Sequence, residues 1–76
     1  MHTTTSAAVG ANVRAEMARR GMMQQELATT IGLSQPGLSK RLRGAVAFDV
    51  DELAAVATAL DIAPADLWPT EQEAAS

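Results

Sequence analysis

Seventy-six residues hold one domain and one small core, and with no cysteine there is no disulfide to staple it. At 47% hydrophobic residues, with Phe48 and Trp68 the only large aromatics, the core has to be aliphatic, and no apolar run approaches the roughly 18 residues of a membrane span. The net charge of −3 argues against a polyanion partner until the charges are located: residues 1–44 carry all six cations against two acids, a balance of +4, whereas residues 45–76 carry seven acids and no cation.

Residues 1–6 are small and polar and read as a disordered tail, in which His2 is inert. They lack the basic and apolar regions of an export signal, so a cytoplasmic location is expected. The domain itself is expected over residues 7–69. Its first helix runs from about Ala7 to Arg20, with Val9, Val13 and Met17 recurring at i, i+4, i+8 as the buried stripe. Arg19 and Arg20 fall in the last turn, where cations favour the helix dipole, and Gly21 supplies the stop. Met22 and Met23 are expected to fill the corner that follows.

A second helix covers about Gln24 to Ile31, with Leu27, Ala28 and Ile31 on one face and Gly32 able to leave it at positive φ. Ser34 is placed to cap a third helix, about Gln35 to Arg43, that buries Leu38 and Leu42 and turns Gln35, Ser39, Lys40 and Arg43 outward. Gly44 ends it. Phe48 then plugs the core beneath a fourth helix, about Val50 to Leu60, whose start carries the Asp49-x-x-Glu52 pattern of a capping box. A fifth short helix follows Pro64, carries Leu67 and Trp68, and stops at Pro69, leaving 70–76 as a flexible tail. Five short helices with brief connections make an all-α orthogonal bundle.

The spacing of Gln24-x-x-Leu27-Ala28, Gly32-Leu33-Ser34-Gln35, Leu38-Ser39 and Arg43-Gly44 resembles the lambda-repressor/Cro-type, or Xre-like, helix-turn-helix family. Asp51 to Leu60 and Pro64-x-Asp-Leu-Trp68 are similar to its closing helices, so the likeness spans roughly residues 9–68. It implies a double-stranded DNA operator as partner, with the third helix in the major groove. By that likeness Gln35, Pro36, Ser39 and Lys40 contact bases. A glutamine suits adenine N6 and N7, a lysine suits guanine O6 and N7, and a proline can only touch a thymine methyl or the sugar edge. Gln24, Ser34, Arg41 and Arg43 fall at phosphate-contacting positions, with Gln24 also steadying the base-reading glutamine. The family commonly has an aliphatic residue where Arg41 stands. Arg41 and Leu42 both lie within about 60° of Leu38 on a helical wheel, so either can face the core. Met23 stands where the family commonly has a Ser or Thr cap, which weakens that helix start. Ala45-Val46-Ala47 replaces a linker that often carries a cation.

Trp68, with Ile62 and Leu67, has two readings: a lid on the core, or the contacts of a homodimer that matches two half-sites. No enzyme is expected. The chain has no cysteine, no histidine outside the tail, no glycine-rich phosphate loop and no metal-ligand spacing, and nothing calls for a cofactor. The implied function is a sequence-specific regulator of bacterial or phage type, resembling Cro or a short repressor and consisting of little beyond this domain. The alternatives are an antitoxin that uses its acidic C-terminal half on a protein partner, and a protein–protein adaptor that keeps the fold without binding DNA.

Overall fold

Thr4 opens the first helix by accepting the Ala7 N–H at 3.1 Å, so α1 spans Thr5–Arg20, beginning two residues before the expected Ala7 and taking in Thr5 and Ser6 of the expected tail. A polar N-cap is worth about 1 kcal/mol and needs no hydrophobic neighbour, which is why the stripe alone places the start too late. The computed structural model describes residues 4–70, and the tail expectations for residues 1–3 and 71–76 lie outside them. Three more helices follow: α2 Gln24–Ile31, α3 Gln35–Leu42 and α4 Val50–Leu60.

The expected fifth helix is a 3-10 turn, Pro64–Leu67, so the described residues form four α-helices. Two prolines bracket the segment. Trp68 precedes Pro69, and a residue before proline is driven out of the α region, here to φ −77° and ψ 139°. Only four residues remain, too few for an α-helix to propagate.

The core is aliphatic. Val13, Leu27, Leu38, Val56 and Leu60 are fully enclosed, with Met17, Leu42 and Leu67 beside them. Met22, Phe48, Leu53 and Ile62 pack against this cluster from its rim. Met23 does not fill the corner as expected but stands 74% exposed, because as N-cap its Cα lies outside the helix that Leu27 docks. No polar or charged residue is buried among the described residues.

α1 crosses α3 at Gly10, where a Cβ would come within 2.5 Å of the Leu42 carbonyl oxygen and 2.7 Å of that of Arg41. The crossing is therefore backbone on backbone. It fixes the C-terminal end of α3 against the middle of the longest helix.

Candidate nucleic-acid interface

α2 and α3 are joined by Gly32, Leu33 and Ser34. Gly32 takes φ 77°, a value L side chains resist, and the Leu33 N–H returns to the Ala28 carbonyl at 2.9 Å. Ser34 reverts to extended backbone and its Oγ accepts the Gly37 N–H at 3.0 Å, starting α3. Ala28, only 2% exposed, lies in the core of this pair, where a larger side chain would splay the helices.

Burial of Leu38 and Leu42 sets the rotation of α3. At 100° per residue, Pro36, Lys40 and Arg43 then point most directly away from the body, and all three are exposed. Gln35 is exposed at the helix head, with the half-buried Ser39 one turn on along the same flank. Of the expected contacts, Pro36, Lys40 and Arg43 thus share the outward face of α3, while Gln35 and Ser39 lie on the flank between that face and the buried stripe, Gln35 being exposed as the first residue of the helix. Gln24 is exposed at the head of α2. No hydrogen bond joins Gln24 to Gln35 among the described residues, so the expected bracing of one glutamine by the other is not made in the free chain.

Arg41, expected at a phosphate-contacting position, sits on the opposite flank and is held by internal partners. Its Nε donates to Glu52 Oε1 at 3.0 Å, its Nη2 to Glu52 Oε2 at 3.2 Å and its Nη1 to the Gly37 carbonyl at 2.9 Å. Every guanidinium nitrogen is engaged, and Leu42, not Arg41, enters the core. Glu52 in turn accepts the Asp49 N–H at 3.0 Å while its own N–H donates to Asp49 Oδ1 at 2.7 Å, completing the capping box. The hydrogen bond from Arg41 holds the Glu52 carboxyl below its ordinary 4.5, with the Asp49 N–H adding to that against the opposing effect of burial. Sequence reasoning saw Glu52 only as a cap. The available signal was an arginine on the inner flank of α3 with an acid opening the next helix.

The remaining cations fall into two groups. Arg19 and Arg20 both pair with Glu16, whose carboxyl is held below its ordinary value chiefly by the hydrogen bond from Arg20. The side chains of Arg14, Lys40 and Arg43 have neither a hydrogen bond nor an ion pair among the described residues. Three of the six cations are thus engaged inside the molecule, by two carboxylates. The other three are left for a partner.

At the far end of the chain, the residues read as dimer contacts separate. Leu67 is 1% exposed and belongs to this molecule's own core, tied to α1 by Asn12 Nδ2 donating to its carbonyl at 3.1 Å, so it has no surface to offer. Ile62 packs on the core rim. Trp68 is 57% exposed, which overturns its reading as a lid: the extended backbone forced by Pro69 swings the ring out over α1. The described acids Asp49, Asp51, Asp61 and Asp66 are exposed at α4 and the turn beyond it.

Residues 12–73 match the sequence profile of the Cro/C1-type HTH DNA-binding domain. No curated protein sequence matches the chain. Among solved structures, the clp gene regulator ClgR from Corynebacterium glutamicum superposes with a TM-score of 0.86 at 32% identity, covering 99% of this chain and 77% of that one. A second structure of the same regulator gives 0.83 at 32% identity over 97% and 92%. The restriction-modification controller protein C.AhdI from Aeromonas hydrophila gives 0.77 at 29% identity, over 82% and 94%.

Proposed function

The chain belongs to the Cro/C1-type helix-turn-helix DNA-binding family, and from that premise we propose that it is a transcriptional regulator that reads a specific double-stranded operator through α3. One observation carries the reading. The head and outward face of α3 keep Gln35, Lys40 and Arg43 without internal partners, while Arg19, Arg20 and Arg41 are engaged by the carboxylates of Glu16 and Glu52. Gln35 at the helix head and Lys40 a turn further on read base edges, Pro36 and Ser39 touch the groove wall, and Gln24, Ser34 and Arg43 hold phosphates. Ser34 can serve both uses, since its oxygen accepts from Gly37 while its hydroxyl proton stays available to donate. The likeness to a controller protein and to a gene regulator supports transcriptional control as the outcome of binding. A Cro-like repressor action, with two copies on two half-sites one DNA turn apart, is the form that action takes in this proposal.

Selection from a random duplex library, followed by titration of the enriched duplex and a scrambled one at several salt concentrations, tests it. The expected result is an enriched motif bound at least 10³-fold more tightly than the scrambled duplex, with a linear salt dependence for both. Failure to enrich any motif, together with binding that is flat in salt, would leave the protein–protein adaptor as the better reading.

A further inference from the structure

Arg14 belongs to none of the contacts assigned so far. It lies on α1, one turn beyond Gly10, and so on the face whose backbone meets the carbonyls of Arg41 and Leu42. There it borders a shallow groove of about 230 Å³ together with Met17, Met22, Gln24 and Leu42. Arg43 follows Leu42 directly, so the end of α3, the head of α2 and the flank of α1 meet at this groove.

The charge pattern around it is one-sided. Positions three and four residues either side of Arg14 are Gly10, Ala11, Met17 and Ala18, none of them acidic. Gln24 faces it from α2, and α3 presents Leu42, with the unpaired Arg43 next in the chain. Glu16, the acid on α1, is occupied by Arg19 and Arg20 on another side of the helix. A groove with a neutral apolar floor, an amide at one lip and an unpaired guanidinium at another is chemically matched to a single phosphodiester oxygen pair. A guanidinium binds such a group in a bidentate fork.

We propose that this groove seats one phosphate of the DNA backbone, with Arg14 supplying its charge from α1. This rests on the operator-binding reading and enlarges it: the phosphate-contacting surface extends beyond the two helices of the motif to a third element. Arg14 sets affinity and register and leaves sequence discrimination to α3.

The test compares wild type, Arg14→Ala and Arg14→Lys on the selected and the scrambled duplex across a salt series, with thermal unfolding of each variant without DNA. Arg14→Ala is expected to weaken both duplexes to the same extent, roughly tenfold at low salt, and to lower the slope of log K against log salt by about 0.9. Arg14→Lys is expected to restore the slope, since the counterion count depends on charge, while recovering only part of the affinity because the fork is lost. The unfolding midpoint should not move. A wild-type slope that survives unchanged in Arg14→Ala overturns the inference and leaves the operator reading intact. Wild type that binds neither duplex overturns the operator reading itself. A lowered midpoint with an unchanged slope would assign Arg14 to folding, through the C-terminal carbonyls of α3, and equally end the proposal.

Discussion

Arg41 and Glu52 tie the DNA-facing helix to the start of α4, and the strength of that tie can be bracketed. Both side chains are about one-fifth exposed, at 19% and 17%, and meet through two nitrogen–oxygen contacts. Fully exposed pairs contribute about 0–1 kcal/mol, and hydrogen bonds to charged groups about 1.5–3 kcal/mol. A half-screened bidentate pair falls between, so a coupling of about 1–2 kcal/mol is expected from a double-mutant cycle of Arg41→Met and Glu52→Gln. Glutamine is chosen because its carbonyl oxygen can still accept the Asp49 N–H. Glu52→Ala removes that bond as well and should cost about 2–3 kcal/mol, the extra about 1 kcal/mol being the lost cap. In a domain of this size, each kcal/mol lowers the unfolding midpoint by roughly 4–8 °C. The assay is thermal and urea unfolding of the four proteins of the cycle. A coupling below about 0.3 kcal/mol, the level at which independent sites already add, refutes the tie.

The same pair separates two roles for Arg41. As a phosphate contact it would contribute to the salt slope of DNA binding; as an internal tie it contributes none. Arg41→Met is therefore expected to lower stability and leave the slope unchanged, and a slope smaller by about one would restore the phosphate role. The pH dependence has a definite sign. The Glu52 carboxyl is held below its ordinary 4.5 in the folded chain, so its contribution is fully present above about that pH and is lost as pH falls through the lower folded value. Between pH 6 and 8 wild type and Glu52→Gln should differ by a constant amount, and the difference should close on acidification.

Four further variants have expected outcomes. Gln35→Ala should reduce discrimination between the selected and scrambled duplexes by about 1–3 kcal/mol, whereas Arg43→Ala should weaken both alike and reduce the salt slope by about one; equal losses on the two duplexes for Gln35→Ala would remove its base-reading role. Gly10→Ala should destabilise by at least about 1–3 kcal/mol in urea unfolding, because the atoms its Cβ would strike at 2.5 and 2.7 Å are backbone oxygens that cannot rotate away. Trp68→Ala should convert a dimer to a monomer in sedimentation with little change in stability if its exposed ring meets a second copy; an unchanged mass would end that role.

The elements were legible because their signals are local. The i, i+4 stripe of α1, the Gly32 turn and the Asp49–Glu52 cap each depend on residues within one or two turns of each other, and each appears where the residues place it. The sequence leaves a position open, or misleads, where a distant residue or a backbone preference decides. Leu42 rather than Arg41 enters the core because Glu52, eleven positions away, captures the guanidinium. Trp68 is outside because Pro69 forbids the turn that would have folded its ring inward. Gly10 gave no sign of its role, since a glycine within a helical stripe looks like a weak position until the partner backbone is known. α4 ends at Asp61 with φ 58°, a left-handed position taken without the glycine that usually announces it.

These corrections change how the positive charge should be counted. By sequence the cations of residues 1–44 form one basic pole. In the fold, three of the six pair with two acids, Glu16 and Glu52, the second carried by the acidic half of the chain. A salt slope predicted from the cation count alone would be near 5, at about 0.9 for each of six contacts, whereas Arg14, Lys40 and Arg43 by themselves give about 2.7 per copy. Slopes near the larger figure would mean that DNA pulls Arg41 from Glu52 or Arg19 and Arg20 from Glu16. The internal pairs would then be gates opened by the polyanion, and the stability lost in opening them would appear as weaker binding to every sequence. A slope near the smaller figure keeps the pairs closed and places all of the electrostatic affinity on the three cations that the fold leaves unmatched.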